Sequence, residues 1–253
     1  MALLHVNYHS RVLDCDMQAD VILPEQTRGQ IGMEGKDSDS KWKTLYLLHG
    51  MSDDHTIWQR RTSIERYVSD LGAAVVMPTT DLGWYTDMEC GYQRYYTFIA
   101  KELPQICRTF FRGMSADREL NWVAGLSMGG YGALKIALKE SDSFSRAACL
   151  SAAFRPELHP DEPYWNSIFG RGEEREKHTV RAMLDELLAS GREKPEVFIR
   201  CGTEDRLIDC NRETRDELLA NGFKVEYSEA SGCHSWEFWD DGIKLALDWF
   251  MRK

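Results

Sequence analysis

Short apolar runs alternate along this chain with stretches whose apolar residues recur at helical spacing. Thr44-Leu45-Tyr46-Leu47-Leu48, Ala73-Ala74-Val75-Val76-Met77, residues 147–151 and residues 197–201 read as buried strands. A further strand is predicted at 225–227. Between them, helical patterns cover 56–70, 92–111 (bent at Pro104), 131–139, 180–190, the segment from Asn211 onward, and 242–251. The opening, 3–23, reads as two extended segments around Ser10-Arg11 that close at Leu23-Pro24. A polar stretch at 25–41, rich in Gly, Ser and Asp, reads as a mobile loop. Strand–helix alternation predicts an α/β fold with a mostly parallel central sheet, helices on both faces and antiparallel strands at the N-terminus.

One region departs from the alternation. Residues 153–195 mix Pro160, Pro163, Tyr164, Trp165 and Phe169 with a charged helix at 180–190. Connections leaving the carboxyl ends of strands are where open α/β sheets bind ligands, so this stretch reads either as a partial roof over a site or as a surface excursion.

Composition narrows the class. A chain of 253 residues suits one large α/β domain, and 43% hydrophobic residues are ample for its core. No run of about 18 uncharged apolar residues occurs, which argues against a membrane span. The N-terminus lacks a basic region followed by a sustained apolar stretch, so it does not read as a signal peptide. A net charge of −10 without Lys/Arg clusters makes nucleic acid an improbable partner. Seven cysteines without a Cys-x-x-Cys pair fit free thiols in a reducing compartment. The expectation is a cytoplasmic protein with neither zinc nor disulfides.

The chemistry centres on Asn121-Trp122-Val123-Ala124-Gly125-Leu126-Ser127-Met128-Gly129-Gly130. An apolar run ends in Gly-x-Ser-x-Gly, and a helical segment follows at once. Chance places that pentapeptide in roughly one chain of this length in ten. Its position between strand and helix is what gives it weight, because a serine at such a sharp turn is the nucleophile elbow of α/β-hydrolases. A serine hydroxyl needs a base, and the base needs an acid to orient it. Asp205 follows the strand at 197–201, and His234 follows the next, giving the order Ser, Asp, His. Glu204 and Asp209 compete with Asp205 for the acid; Asp209 also reads as a helix cap. The developing oxyanion needs donors, for which the Met128 and Met51 backbone amides are the candidates, with Gly50 as the neighbouring alternative. His49 reads as a loop-shaping residue. Trp84 and Tyr85, after the strand ending at Met77, read equally well as pocket walls and as loop packing. Trp58, Trp236 and Trp239 read as packing.

Taken together, Leu47-Leu48-His49-Gly50-Met51, the Ser127 elbow, Gly202-Thr203-Glu204-Asp205 and His234-Ser235-Trp236-Glu237-Phe238-Trp239 resemble the putative-esterase (esterase D-like) family of α/β-hydrolases. The nearest likeness is to bacterial intracellular tributyrin esterases, carried by His49 to Asp54 with Trp58, and by Pro78 to Asp87. S-formylglutathione hydrolases usually carry a Ser-Gly-Leu-Thr-Cys-Thr type of loop where this chain has His49 to Asp54. The resemblance implies an α/β-hydrolase fold, a small-molecule ester substrate, no metal and no organic cofactor; many members form dimers or tetramers. The expected activity is hydrolysis of short-chain acyl esters, with carbohydrate esters or glutathione thioesters as alternatives. A stretch as charged as Glu173-Glu174-Arg175-Glu176-Lys177 offers little apolar surface to a lipid interface.

Overall fold

The computed structural model describes residues 1–27, 29, 31–32, 35–36 and 40–252, so the loop expected at 25–41 lies partly outside the described residues. The strands are β1 (Ala2–Ser10), β2 (Cys15–Leu23), β3 (Lys43–Leu48), β4 (Ala73–Pro78), β5 (Asn121–Leu126), β6 (Arg146–Leu150), β7 (Glu196–Gly202) and β8 (Val225–Ala230). They form one sheet in the order β1-β2-β4-β3-β5-β6-β7-β8. β1 and β2 make an antiparallel hairpin, and β2 runs antiparallel to β4. Every pairing from β4 through β3 to β8 is parallel. This is the mostly parallel sheet with antiparallel N-terminal strands that the apolar pattern predicts.

The helices are α1 (Ile57–Arg61), α2 (Ile64–Val68), α3 (Tyr95–Thr97), α4 (Leu103–Phe110), α5 (Met128–Lys139), α6 (Pro163–Phe169), α7 (Glu173–Glu176), α8 (Val180–Ser190), α9 (Ile208–Ala220) and α10 (Trp236–Met251). Side chains alternate across each strand, so the core has two layers. Leu45, Leu47, Val75 and Met77 pack with Trp58, Ile64, Ile243 and Phe250 from α1, α2 and α10. Tyr46, Leu48, Ala74 and Val76 pack on the other face with Leu103, Leu134, Leu184 and Leu218 from α4, α5, α8 and α9. Each of the larger side chains among them contributes about 1.5–3 kcal/mol by leaving water.

Three helices differ from the pattern, each for a local reason. The helix expected over 56–70 is two short ones. The Thr62 hydroxyl donates to the Trp58 carbonyl at 2.5 Å and accepts the Ile64 amide at 3.1 Å, so a side chain replaces the backbone ladder at the break. Within 92–111, a π-helical stretch at Phe98–Glu102 separates α3 from α4. Pro104 has no N–H for the carbonyl one turn earlier, and the ladder widens just before it. The π stretch aims Glu102 at the first hairpin, where it accepts the Ser10 hydroxyl at 2.5 Å and the Arg11 amide at 2.7 Å. The closing helix begins at Trp236 rather than 242. Gly242 lies inside it where the helix crosses β6: a Cβ there would stand 3.3 Å from Leu150.

Candidate active site

Ser127 stands between β5 and α5 with φ +52° and ψ −117°, a conformation that L-residues rarely adopt. The turn works only because its neighbours lack side chains. A Cβ on Gly125 would lie 2.4 Å from the Gly129 backbone, and one on Gly129 would lie 2.5 Å from the His49 carbonyl oxygen. The Ser127 amide bonds to the Leu150 carbonyl at 2.9 Å, and the Ser127 carbonyl accepts Ala153 and Tyr131 amides at 3.1 Å each. The backbone is thus fixed on both sides, and Ser127 is half-buried.

Asp205 and His234 reach that hydroxyl from the ends of β7 and β8. His234 Nε2 lies 3.0 Å from Ser127 Oγ, and Nδ1 lies 2.8 Å from Asp205 Oδ2. An ionised carboxylate only accepts, so Nδ1 carries the proton and Nε2 is left to accept from the serine. The Asp205 side chain is fully buried, and its other oxygen accepts the Leu207 amide at 2.9 Å. Burial acts to raise the Asp205 pKa; the bonds from His234 and Leu207 outweigh it and hold the carboxyl below its ordinary value. The competing acids lie elsewhere. Glu204 accepts the Gly232 amide at 2.5 Å and the Thr203 hydroxyl at 2.8 Å, latching the Asp205 loop to the His234 loop. Asp209 is exposed and pairs with Arg212 at 3.6 Å.

The two amides expected to bind the oxyanion belong to Met51, which follows β3, and Met128, which opens α5 directly after Ser127. Among the described residues, neither amide N–H has a hydrogen-bond partner. The loop carrying Met51 is held from behind: Trp58 Nε1 donates to the Leu48 carbonyl at 3.0 Å, and the Tyr85 hydroxyl donates to the His49 carbonyl at 2.9 Å. His49 is 1% exposed and bonded at both ring nitrogens, a loop-shaping place.

Trp84 and Tyr85, expected either as pocket walls or as packing, are 3% and 0% exposed, so the packing reading is the one the structure favours. Trp84 sits among Tyr131, His159, Trp165 and Phe169 at ring separations of 5.0–6.1 Å. Sequence reasoning also undervalued Trp239, whose ring lies edge-on to His234 at 4.7 Å. Its place in the first turn of α10, just after His234, is the signal that pointed there. No group of three or more His, Cys, Asp or Glu among the described residues is placed to hold a metal ion, and no helix is long and apolar enough to cross a membrane.

A strained serine between strand and helix, on a mostly parallel sheet of this order, marks an α/β-hydrolase fold. The family model described as "Putative esterase" matches residues 10–249, and the chain belongs to that family as a serine esterase. It is 28% identical over 268 residues to an acetyl esterase of Caldicellulosiruptor saccharolyticus, covering 100% of this chain and 99% of that protein. Among solved structures it is similar to FphF, a fluorophosphonate-binding serine hydrolase of Staphylococcus aureus. Identity there is 33%, coverage 100% of this chain and 99% of the other, and the TM-score 0.88. The S-formylglutathione hydrolase FrmB of the same organism matches at 33% identity, 99% coverage of both chains and TM-score 0.84.

Proposed function

We propose that this esterase hydrolyses short-chain acyl esters, as tributyrin esterases do, through a Ser127–His234–Asp205 triad and an acyl-enzyme. The observation that carries the reading is the hydrogen-bonded line from Ser127 Oγ through His234 to Asp205 Oδ2. Ser127 Oγ attacks the ester carbonyl as its proton passes to His234 Nε2. Asp205 holds the imidazole and stabilises the imidazolium that forms. The oxygen of the tetrahedral intermediate gathers negative charge and takes hydrogen bonds from the Met51 and Met128 amides. His234 then delivers its proton to the leaving alkoxide. Water enters, gives a proton to His234, and attacks the acyl carbon; collapse returns the proton to Ser127 and releases the acid.

In this reading the whole chain acts as one domain, and residues 153–195 form a partial roof. Arg175 supports such a roof, since it donates to the His159 carbonyl at 2.6 Å and to Asn166 Oδ1 at 2.7 Å. Tyr164 and Ser167 join the same segment to Leu82 and Cys90 of the loop after β4. A roof packed this way favours a small acyl pocket over a broad lipid-binding face. The likeness to FrmB supports a second reading, cleavage of a glutathione thioester by the same residues.

A panel of p-nitrophenyl esters from acetate to decanoate, run beside S-formylglutathione and acetylated xylan, separates these readings. The expected result is best turnover on acetyl to butyryl esters, with kcat/KM falling beyond about six carbons. A peak at decanoate, or a rate jump above the substrate's solubility limit, contradicts the short-chain reading. A dominant rate on S-formylglutathione replaces it with the thioester one.

A further inference from the structure

Behind the Met51 amide lies a buried set of groups whose hydrogen bonds, among the described residues, do not include Ser127. His49 Nδ1 donates to the Gly50 carbonyl at 2.7 Å, and the Asp53 amide reaches the same oxygen at 3.3 Å. Gly50 C=O and Met51 N–H belong to one peptide unit. In a planar trans peptide these two groups point in opposite directions. Anchoring the carbonyl therefore aims the N–H the other way, where no described protein group accepts it. Were this peptide to turn over, it would present a carbonyl oxygen to the oxyanion and repel it.

We infer that His49 is a positioning residue which, with the Thr80 amide and the Tyr85 hydroxyl, fixes the orientation of the Gly50–Met51 peptide and hence the aim of its N–H. This rests on the reading of Ser127 as nucleophile and of Met51 as an oxyanion donor. The Thr80 amide donates to His49 Nε2 at 3.0 Å, so the ring's one proton must sit on Nδ1, facing Gly50. Burial lowers the His49 pKa; the Gly50 carbonyl bond, Asp54 and Asp81 oppose it without reversing it, and His55 adds to the lowering. An Nε2 that accepts the Thr80 amide carries no proton, and the lowered pKa acts in the same direction.

Tyr85 adds a second, independent sign. Trp84 and Tyr85 both have positive φ, +51° and +50°, an uncommon state for one aromatic residue and more so for two in succession. Backbone held in that region marks a place where surrounding structure imposes a geometry. Its outcome here is a fully buried Tyr85 ring beside Gly132, where a Cβ would stand 2.4 Å from Tyr85 Cδ2. From that slot the hydroxyl meets the His49 carbonyl at 2.9 Å. Residues about thirty positions after the loop thus hold both its carbonyl and its imidazole.

The test compares His49→Ala, His49→Asn, His49→Gln and Tyr85→Phe with the unaltered enzyme on p-nitrophenyl acetate. Active sites are counted by exhaustive fluorophosphonate labelling. Inhibition by butaneboronic acid is read in parallel, because its serine adduct places a tetrahedral anion where the oxyanion forms. His49→Ala is expected to lower kcat by about 10²-fold or more, as loss of one oxyanion donor does, with KM within about threefold. Boronate affinity should fall in step. His49→Asn, whose amide nitrogen can stand in for Nδ1, should recover about tenfold over alanine, and His49→Gln should not. Tyr85→Phe should lower kcat by about tenfold. Wild-type kcat in these variants, or equal losses in all three His49 variants with boronate affinity unmoved, overturns the inference. If His49→Ala does not fold, Tyr85→Phe decides alone, since it removes a single oxygen. Failure of the parent enzyme to take the label at all defeats the nucleophile reading instead, so the two failures are distinct.

Discussion

On one side of the site, the loops after β5, β7 and β8 bring three side chains into a hydrogen-bonded line. On the other, the loop after β3 offers a backbone amide and is held by buried groups from the loop after β4. The first half depends on which atoms the side chains carry: a hydroxyl, an imidazole and a carboxylate at 3.0 and 2.8 Å. The second depends on the direction of one peptide plane, set by His49, Thr80 and Tyr85. A change in the first half should remove chemistry and leave structure. A change in the second should weaken chemistry by misplacing something that is still present.

The largest expected effect is in the first half. Ser127→Ala should lower kcat by about 10⁴-fold or more while thermal unfolding stays near that of the parent, because one hydroxyl leaves a turn whose backbone bonds remain. Asp205→Asn should cost about 10⁴-fold, since an amide favours the wrong imidazole tautomer. Asp209→Asn should fall within about twofold, its carboxylate being an exposed ion-pair partner. Glu204→Gln should lie between the two: it keeps the shape of the latch on Gly232 and loses its charge. A crippled Asp209→Asn would show that the acid had been assigned to the wrong carboxylate.

Gly129 is where the halves touch, and Gly129→Ala should disturb both. The new methyl would meet the His49 carbonyl at 2.5 Å, and backbone on each side cannot give way. Loss of about 1–3 kcal/mol of stability, read by urea unfolding, should accompany a fall in activity. Normal stability with normal activity would mean that the elbow and the loop after β3 are looser than their spacing implies.

The smallest effect concerns the floor beneath the second half. Lys135 in α5 is 4% exposed and donates to Thr86 Oγ1 at 2.8 Å, next to Tyr85. Burial, with help from Lys139, pushes its pKa down to about 7 against the opposing pull of Asp87 and Glu89. Between about 7 and the ordinary lysine value of 10.5, the unfolded chain binds the proton that the folded one has released. Stability contributed by this group therefore rises with pH across that window. Urea midpoints measured at pH 7 and pH 9 should show a rise that flattens in Lys135→Met. An unchanged slope in the variant would mean that Lys135 stays charged in its buried place.

The two halves were not equally legible in the sequence. Ser127, Asp205 and His234 stand out because side chains of those types, each in the turn or loop that follows a strand and in the order Ser, Asp, His, have few structural reasons to be there. The choice among Glu204, Asp205 and Asp209 needed three dimensions, since the loop's curl decides which carboxylate turns inward. The Met51 and Met128 amides could be named only by position, because any residue supplies an N–H. The bracing by Tyr85 was hidden for a different reason. It depends on positive φ at two aromatic residues and on a space left by Gly132, and no periodicity encodes either. The sheet itself was readable from apolar runs. The helix at 56–70 was not, because its break rests on a single threonine hydroxyl.

Fluorophosphonate labelling followed by peptide mass mapping tests the central claim most directly. One covalent adduct per chain is expected, on the peptide containing Ser127, with none formed in Ser127→Ala and labelling in Asp205→Asn slowed by orders of magnitude. An adduct on any other residue, or undiminished labelling of Ser127→Ala, would contradict the assignment of this serine and of the relay built on it.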